Sequence, residues 1–422
     1  MTTPATVRIP GPSGARTVEL LAPPALITAR TPPLSRLVYA AGHVVADPLR
    51  AAASVSATID WDATMAVRHR LWALGLGVAE SMDTAQRGMG LDAATALELG
   101  RRTVREAASC GGQVVVGIAT DQLPAGPATL TAIGDAYLEQ LEQIESAGGC
   151  VVVMASRQLA LSAASVDDYL AIYGRVIEAA SRPVILHWLG AMFDPQLAGY
   201  WGSDDLDAAV DTVVTLVNAH AEAVVGIKVS LLDAGREGVL RRRLPEGVRV
   251  FAGDDFNYAE LIAGDESGHC DALLGAFAVI PRYASAALLR LDAGDTAGFS
   301  RNSRSHRSAQ QVAVRGAHTV LQDRSRVVEL PHGGPVALPD ARRAREWSYR
   351  LASGRPVRGG GRHRTVPRPR TGGGSRHWLF PRYRAVRRAR QCLSRRLRWV
   401  ASSNGAASGM GQARGRGLMD EQ

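Results

Sequence analysis

Between residues 54 and 275, short apolar runs alternate with amphipathic stretches eight times. The runs lie near residues 54–60, 76–81, 113–120, 150–156, 183–188, 224–230, 247–254 and 270–275. In the first, Val55, Ala57, Ile59 and Trp61 alternate with Ser54, Ser56, Thr58 and Asp60, the period-two pattern of a half-buried strand. Val114, Val115 and Val116, like Val151, Val152 and Val153, form continuous apolar runs, as parallel strands buried on both faces do. Helical spacing fills the intervals. Leu130, Ile133, Tyr137, Leu141 and Ile144 recur at steps of three and four, with Gly148 as a stop. Ser165 and Asp168 form a capping pair ahead of Tyr169, Ile172 and Val176. Ser203 opens a helix carrying Leu206, Val210, Val213 and Val217.

Eight strand–helix units in roughly 240 residues predict a (β/α)8 TIM barrel. The competing open, doubly wound sheet announces itself with a glycine-rich turn after the first strand, and none follows Asp60. The barrel is expected over residues 54–295, behind an irregular Pro- and Ala-rich N-terminal arm over 1–53. A basic tail of low order is expected over 296–422.

Charge divides the chain at nearly the same place. Residues 1–299 carry Lys228 and 21 arginines against 34 acidic residues, whereas residues 300–422 carry 27 arginines against 6. The segment after Phe299 has no isoleucine and no lasting periodicity. It reads either as an arm that touches nucleic acid non-specifically, or as translation out of frame in a GC-rich gene. The second fits better, because its arginines and aromatics follow no recognition module. Cys110, Cys150, Cys270 and Cys392 are too scattered for a zinc site or a disulfide framework and suit a reducing compartment. The N-terminus shows no leader pattern, and no apolar run approaches the ~20 residues that span a bilayer. A cytoplasmic protein with no membrane partner is expected.

Lys228 is the only lysine, set against 48 arginines. A desolvated lysine can lose its proton and attack a carbonyl, which arginine cannot do. In the run Val224–Ser230, Val225, Ile227 and Val229 fall on one face, and Gly226, Lys228 and Ser230 on the other. Chemistry in such a barrel sits at the C-terminal strand ends. Those ends carry Asp60, Glu80, Thr120, Asp121, Ser156, His187, Lys228, Ser230, Asp254 and Asp255. Asp60, Asp254 and Asp255 could instead cap the next helix, and His187 could be a core histidine. Glu80, a carboxylate among apolar residues, needs a partner, for which Lys228 is the obvious candidate.

Gly226-Ile227-Lys228 on a sixth strand resembles the Schiff-base motif of the dihydrodipicolinate synthase / N-acetylneuraminate lyase family of class I aldolases. The run Pro183-Val184-Ile185-Leu186 and the seventh-strand end Ala252-Gly253-Asp254-Asp255 are similar to that family too. More closely, the segment from Ala79 to Gly90 and His187-Trp188-Leu189-Gly190 resemble an uncharacterised actinobacterial branch. The resemblance implies an imine between Lys228 and a small carbonyl, oxo-acid-like substrate, no cofactor, and assembly as a homo-oligomer. His187 matches the position of the family's proton-relaying tyrosine. The family's Gly-Thr-Thr-Gly-Glu loop, which holds a pyruvate carboxylate, is replaced here by Ala79 to Thr84.

The expected site is therefore Lys228 and His187 as catalytic groups, with Glu80, Asp83, Ser156, Ser230 and Asp254 placing the substrate. The alternative is a divalent-metal barrel using Asp60, Glu80, His187 and Asp254. A third reading is an inactive product whose basic tail binds nucleic acid.

Overall fold

The computed structural model describes residues 6–9, 16–19, 26–47, 58–88 and 90–305. A short antiparallel hairpin, β1 (Thr6–Ile9) with β2 (Arg16–Glu19), comes first. Eight parallel strands then close into a barrel: β3 (Val38–Ala41), β4 (Gly77–Glu80), β5 (Val114–Ile118), β6 (Cys150–Val153), β7 (Val184–Leu189), β8 (Val224–Ser230), β9 (Arg249–Ala252) and β10 (Asp271–Leu274). Closure runs through β10 and β3, where Leu273 pairs with Tyr39. Asp271 fastens that seam, accepting from Leu37 N at 2.7 Å and from Arg249 Nη1 at 2.7 Å. The TIM barrel expected from the periodicity is present.

Its first strand is not the one expected. Residues 54–60 had the clean alternation, but among the described residues of that run Ile59 makes an isolated antiparallel bridge to Ala46, and Asp60 caps the following helix. The barrel begins instead at Val38–Ala41, inside the stretch read as an arm. The reason is burial on both sides: Val38 and Ala40 pack outward, Tyr39 and Ala41 inward, so no polar residue marks the strand.

The helices are α1 (Trp61–Trp72), α2 (Ala93–Cys110), α3 (Leu130–Ser146), α4 (Arg157–Ser162), α5 (Val166–Ala179), α6 (Leu206–Ala219), α7 (Ala234–Arg243), α8 (Tyr258–Ala263), α9 (Gly275–Val279), α10 (Pro281–Asp292) and α11 (Thr296–Ser305). Local chemistry starts most of them. Asp60, Asp92, Thr129, Ser156, Asp205 and Asp233 each accept from a backbone N–H of the first turn. The capping pair at α5 is formed, with the Asp168 carboxylate reaching back to Ser165 N. Asp205, two residues beyond the expected Ser203, caps α6.

Two apolar layers hold the barrel. Val78, Val116, Val153, Leu186, Ile227 and Val229 face the helices, while Ala79, Val115, Val152, Ile185, Phe251 and Leu273 fill the interior. A register shift between Val184 and Ile185 leaves Val225 without a partner on β7. Val225 consequently joins the interior cluster, not the face of Ile227 and Val229 where strict alternation placed it.

Residues near the N-terminus are tied to α10: Ala29 N donates to Ser285 Oγ, and Asp292 accepts from Leu34 N, Ser35 N and Ser35 Oγ. Regular structure also continues past residue 295, the expected boundary, because α11 buries Phe299 completely. The expectations for the rest of the basic tail, including Cys392, lie outside the described residues. Among the described residues, no helix is long and apolar enough to cross a membrane.

Candidate active site

Lys228 projects into the barrel from β8. Its neighbours in register are His187 on β7 and Phe251 on β9. Gly253 makes room for it: a Cβ there would lie 2.3 Å from Ser230 Oγ and 2.9 Å from Lys228 Cε. Burial pushes the ammonium toward its neutral form, against the opposing charges of Asp83 and Asp255.

His187 is fully buried. Its Nε2 lies 3.4 Å from Ser230 Oγ, and its Nδ1 has no hydrogen-bond partner among the described residues. Asp83 Oδ2, also without a hydrogen-bond partner, stands 4.0 Å from that Nδ1. Burial holds the imidazole well below its ordinary range, and Lys228 adds to the effect. Desolvation moves the Asp83 carboxyl the other way, upward, against the pull of Lys228, Arg157 and Arg87. Two buried heteroatoms therefore face a gap wider than a hydrogen bond, beside an amine inclined to be neutral.

The turn after β4 brings Asp83 there. Ser81 adopts the left-handed conformation at φ +55°, rare for a residue with a Cβ. Two bonds hold it so: Ser81 Oγ donates to Ala96 O at 2.6 Å, and Ser81 N donates to Glu80 Oε1 at 2.8 Å. Arg87 pins the far side of the segment. It donates to both oxygens of Asp121, to Gly117 O and to Gln140 Oε1, which ties the turn to the end of β5.

Of the expected site residues, Lys228, His187, Asp83 and Ser230 come together. Glu80 does not, and its expected pairing with Lys228 is corrected. Glu80 follows the inward Ala79 on β4, so it points outward into the helix layer. There it receives Arg68 Nε and Nη2 at 2.8 Å each and Thr103 Oγ1 at 2.7 Å. Asp254 is likewise spent locally. Its Oδ1 accepts from Phe256 N and Asn257 N, and its Oδ2 accepts from Asn257 Nδ2. Its neighbour Asp255 is the one whose charge reaches Lys228. Burial raises the Asp255 carboxyl to about 6.

Ser156 caps α4 by accepting from Leu159 N, and its Oγ lies 2.7 Å from Thr120 Oγ1. With Asp60 capping α1 and Glu80 and Asp254 engaged elsewhere, the four residues named for a metal are not gathered. Among the described residues, no group of three or more His, Cys, Asp or Glu side chains is placed to hold an ion.

Sequence reasoning missed Arg68 and Arg157, and it gave no role to Arg87 or Gly253, although both lie in the motifs it singled out. The outward direction of Glu80 was recoverable from strand alternation alone. The arginine partners were not, since they reach the strand ends from other elements.

Residues 7–311 match the model of the family described as "Protein of unknown function (DUF993)". The chain belongs to that family. No curated protein matches it in sequence. Solved structures share the fold of this DUF993 protein at low identity. Dihydrodipicolinate synthase from Aquifex aeolicus is 14% identical with a TM-score of 0.52, covering 75% of this chain and 98% of its own. The synthase DapA-2 from Bacillus anthracis is 17% identical with a TM-score of 0.51, covering 76% and 98%. YagE, a prophage protein of the dihydrodipicolinic acid synthase family from E. coli K12 solved in complex with pyruvate, is 17% identical with a TM-score of 0.51, covering 78% and 99%. The likeness to the dihydrodipicolinate synthase superfamily, read from the sixth-strand lysine, thus holds at the level of fold.

Proposed function

We propose that this DUF993 protein is a carbon–carbon lyase or aldolase that forms an imine between Lys228 and a small oxo-acid-like substrate. One observation carries the reading: a single lysine, buried in the barrel interior, stands in register with a buried histidine. YagE, with the same fold, was solved with pyruvate, which supports an oxo acid as the carbonyl partner.

Burial disfavours the charged amine, so Lys228 Nζ can present its lone pair to a carbonyl carbon. Attack forms the C–N bond and gives a carbinolamine. His187 and Asp83, facing the same gap, relay the protons that let the hydroxyl leave as water. The resulting iminium takes up the electron pair of the neighbouring C–C bond as it breaks, or supplies it to a new bond in the reverse direction. Ser230 orients His187 through Nε2.

Borohydride reduction in the presence of pyruvate and a panel of longer oxo acids tests this. The expected result is a stable mass increment on the peptide carrying Lys228. Absence of an adduct with every carbonyl compound, or full turnover by Lys228→Arg, overturns it.

A further inference from the structure

Two arginines border the turn that carries Asp83, and they are used differently. Arg87 is buried with its donors engaged inside the protein. Arg157, which follows Ser156 beyond the end of β6, spends only Nε, on Asp194 Oδ2 at 2.5 Å. Among the described residues, its Nη1 and Nη2 make no hydrogen bond, and its side chain is 39% exposed. Gly88 lies against it, since a Cβ there would stand 2.9 Å from Nη1. Gly88 and Asp83 lie on the same connection from β4 to α2, and the charge of Arg157 acts on Asp83. The guanidinium thus stands on the side of Asp83, whose Oδ2 faces the unpartnered, fully buried His187 Nδ1.

We propose that Arg157 is a specificity-determining residue of this site, holding a carboxylate at the end of the substrate remote from the carbonyl. The inference rests on the imine reading for the position of the carbonyl, at Lys228. Two free Nη groups on one guanidinium suit the two oxygens of a carboxylate. A phosphate dianion fits less well, because Asp83 and Asp194 stand beside the same guanidinium. A carboxylate on the α-carbon would lie beside Lys228, so the group that reaches Arg157 sits further along the chain. The substrate class is thus a carbonyl compound with a distal carboxylate.

The test compares 4-oxobutanoate with its methyl ester as probes, using the rate of borohydride-trapped adduct at Lys228 in the full chain. Wild type should favour the anion by about ten- to hundredfold, the range of a charge-assisted pair. Arg157→Gln should bring the anion-to-ester rate ratio, read within that variant, close to one, whereas Arg157→Lys should retain part of it. Asp194→Asn breaks the internal ion pair and should keep the preference. A merely structural Arg157 would slow both probes alike.

Pentanoate has the carboxylate but no carbonyl, so its binding, followed by ligand-observed NMR, does not depend on the imine. Loss of pentanoate binding in Arg157→Gln supports the subsite even if no adduct forms with any aldehyde, in which case only the imine reading fails. Equal trapping of both probes by wild type, or pentanoate binding unaffected by Arg157→Gln, overturns the subsite.

Discussion

His187 and Lys228 stand opposite one another on adjacent parallel strands, and the lysine reinforces burial in keeping the imidazole neutral. Lys228→Met should therefore raise the His187 pKa, though not to its ordinary value, because burial is the larger cause and remains. An NMR titration of the His187 ring reads this directly. An unmoved titration would mean that the two side chains do not sense each other.

The same substitution should stabilise the fold. The folded-state pKa of Lys228 lies below the unfolded one, so the unfolded chain binds more protons between the two values. The lysine therefore costs stability at neutral pH, and the cost fades as pH rises toward the ordinary lysine range. Lys228→Met should gain on the order of 1 kcal/mol at pH 7, with the gain shrinking in alkaline solution. Denaturant melts at several pH values check it; a gain that grew with pH would contradict the sign.

Glu80 and Arg68 give the opposite case, a buried pair on the outer face of the barrel. Both side chains are fully buried, and the Arg68 guanidinium also donates to Thr64 O and His43 O. Removing one partner strands the other's charge, a loss of about 3–5 kcal/mol. Glu80→Gln, which keeps an oxygen for Ser81 N but loses the charge facing Arg68, should melt far earlier than wild type while the folded fraction keeps its rate of imine trapping. A specific rate that fell with an unchanged melt would return Glu80 to the site.

Glu80 and Asp83 show what the sequence made legible. Seven of the eight strands were visible because their apolar runs are long or valine-rich. The first was hidden by small residues buried on both faces, and a chance alternation at 54–60 took its place. At the site, strand-end position selected Lys228, His187 and Ser230, which alternation also points inward. Glu80 was misread because the end of a strand fixes height along the barrel axis, whereas period two fixes the face. Asp83 was found through the motif that contains it. What brings it to His187, a left-handed Ser81 and the Arg87 clamp onto Asp121, depends on long-range contacts that no local pattern encodes.

Gly253 has a role no spacing rule suggests. An alanine Cβ would meet Val229 O at 2.6 Å as well as Ser230 Oγ and Lys228 Cε. The carbonyl is held in the sheet, so the lysine stem and the serine must move. Gly253→Ala should lose most borohydride-trapped adduct while the barrel still folds. Trapping at the wild-type rate would show that Lys228 has more room than its neighbours indicate.

Asp255 supplies the last prediction, through both stability and rate. Its carboxyl is raised to about 6 by burial, opposed by a hydrogen bond from Ala276 N and by the charge of Lys228, while Asp254 pushes it further up. A raised carboxyl holds its proton longer in the folded state, so stability falls as pH climbs from the ordinary carboxylate range through about 6. At about 1.4 kcal/mol per unit, the loss over that window reaches about 3 kcal/mol, and Asp255→Asn should flatten it. Above pH 6 the ionised Asp255 also favours the charged form of Lys228. Asp255→Asn removes that support and should lower the lysine pKa, so the rising limb of imine trapping against pH should move to lower pH. A limb that stays in place would show that the Asp255 charge does not govern the amine, leaving burial and Asp83 to set it.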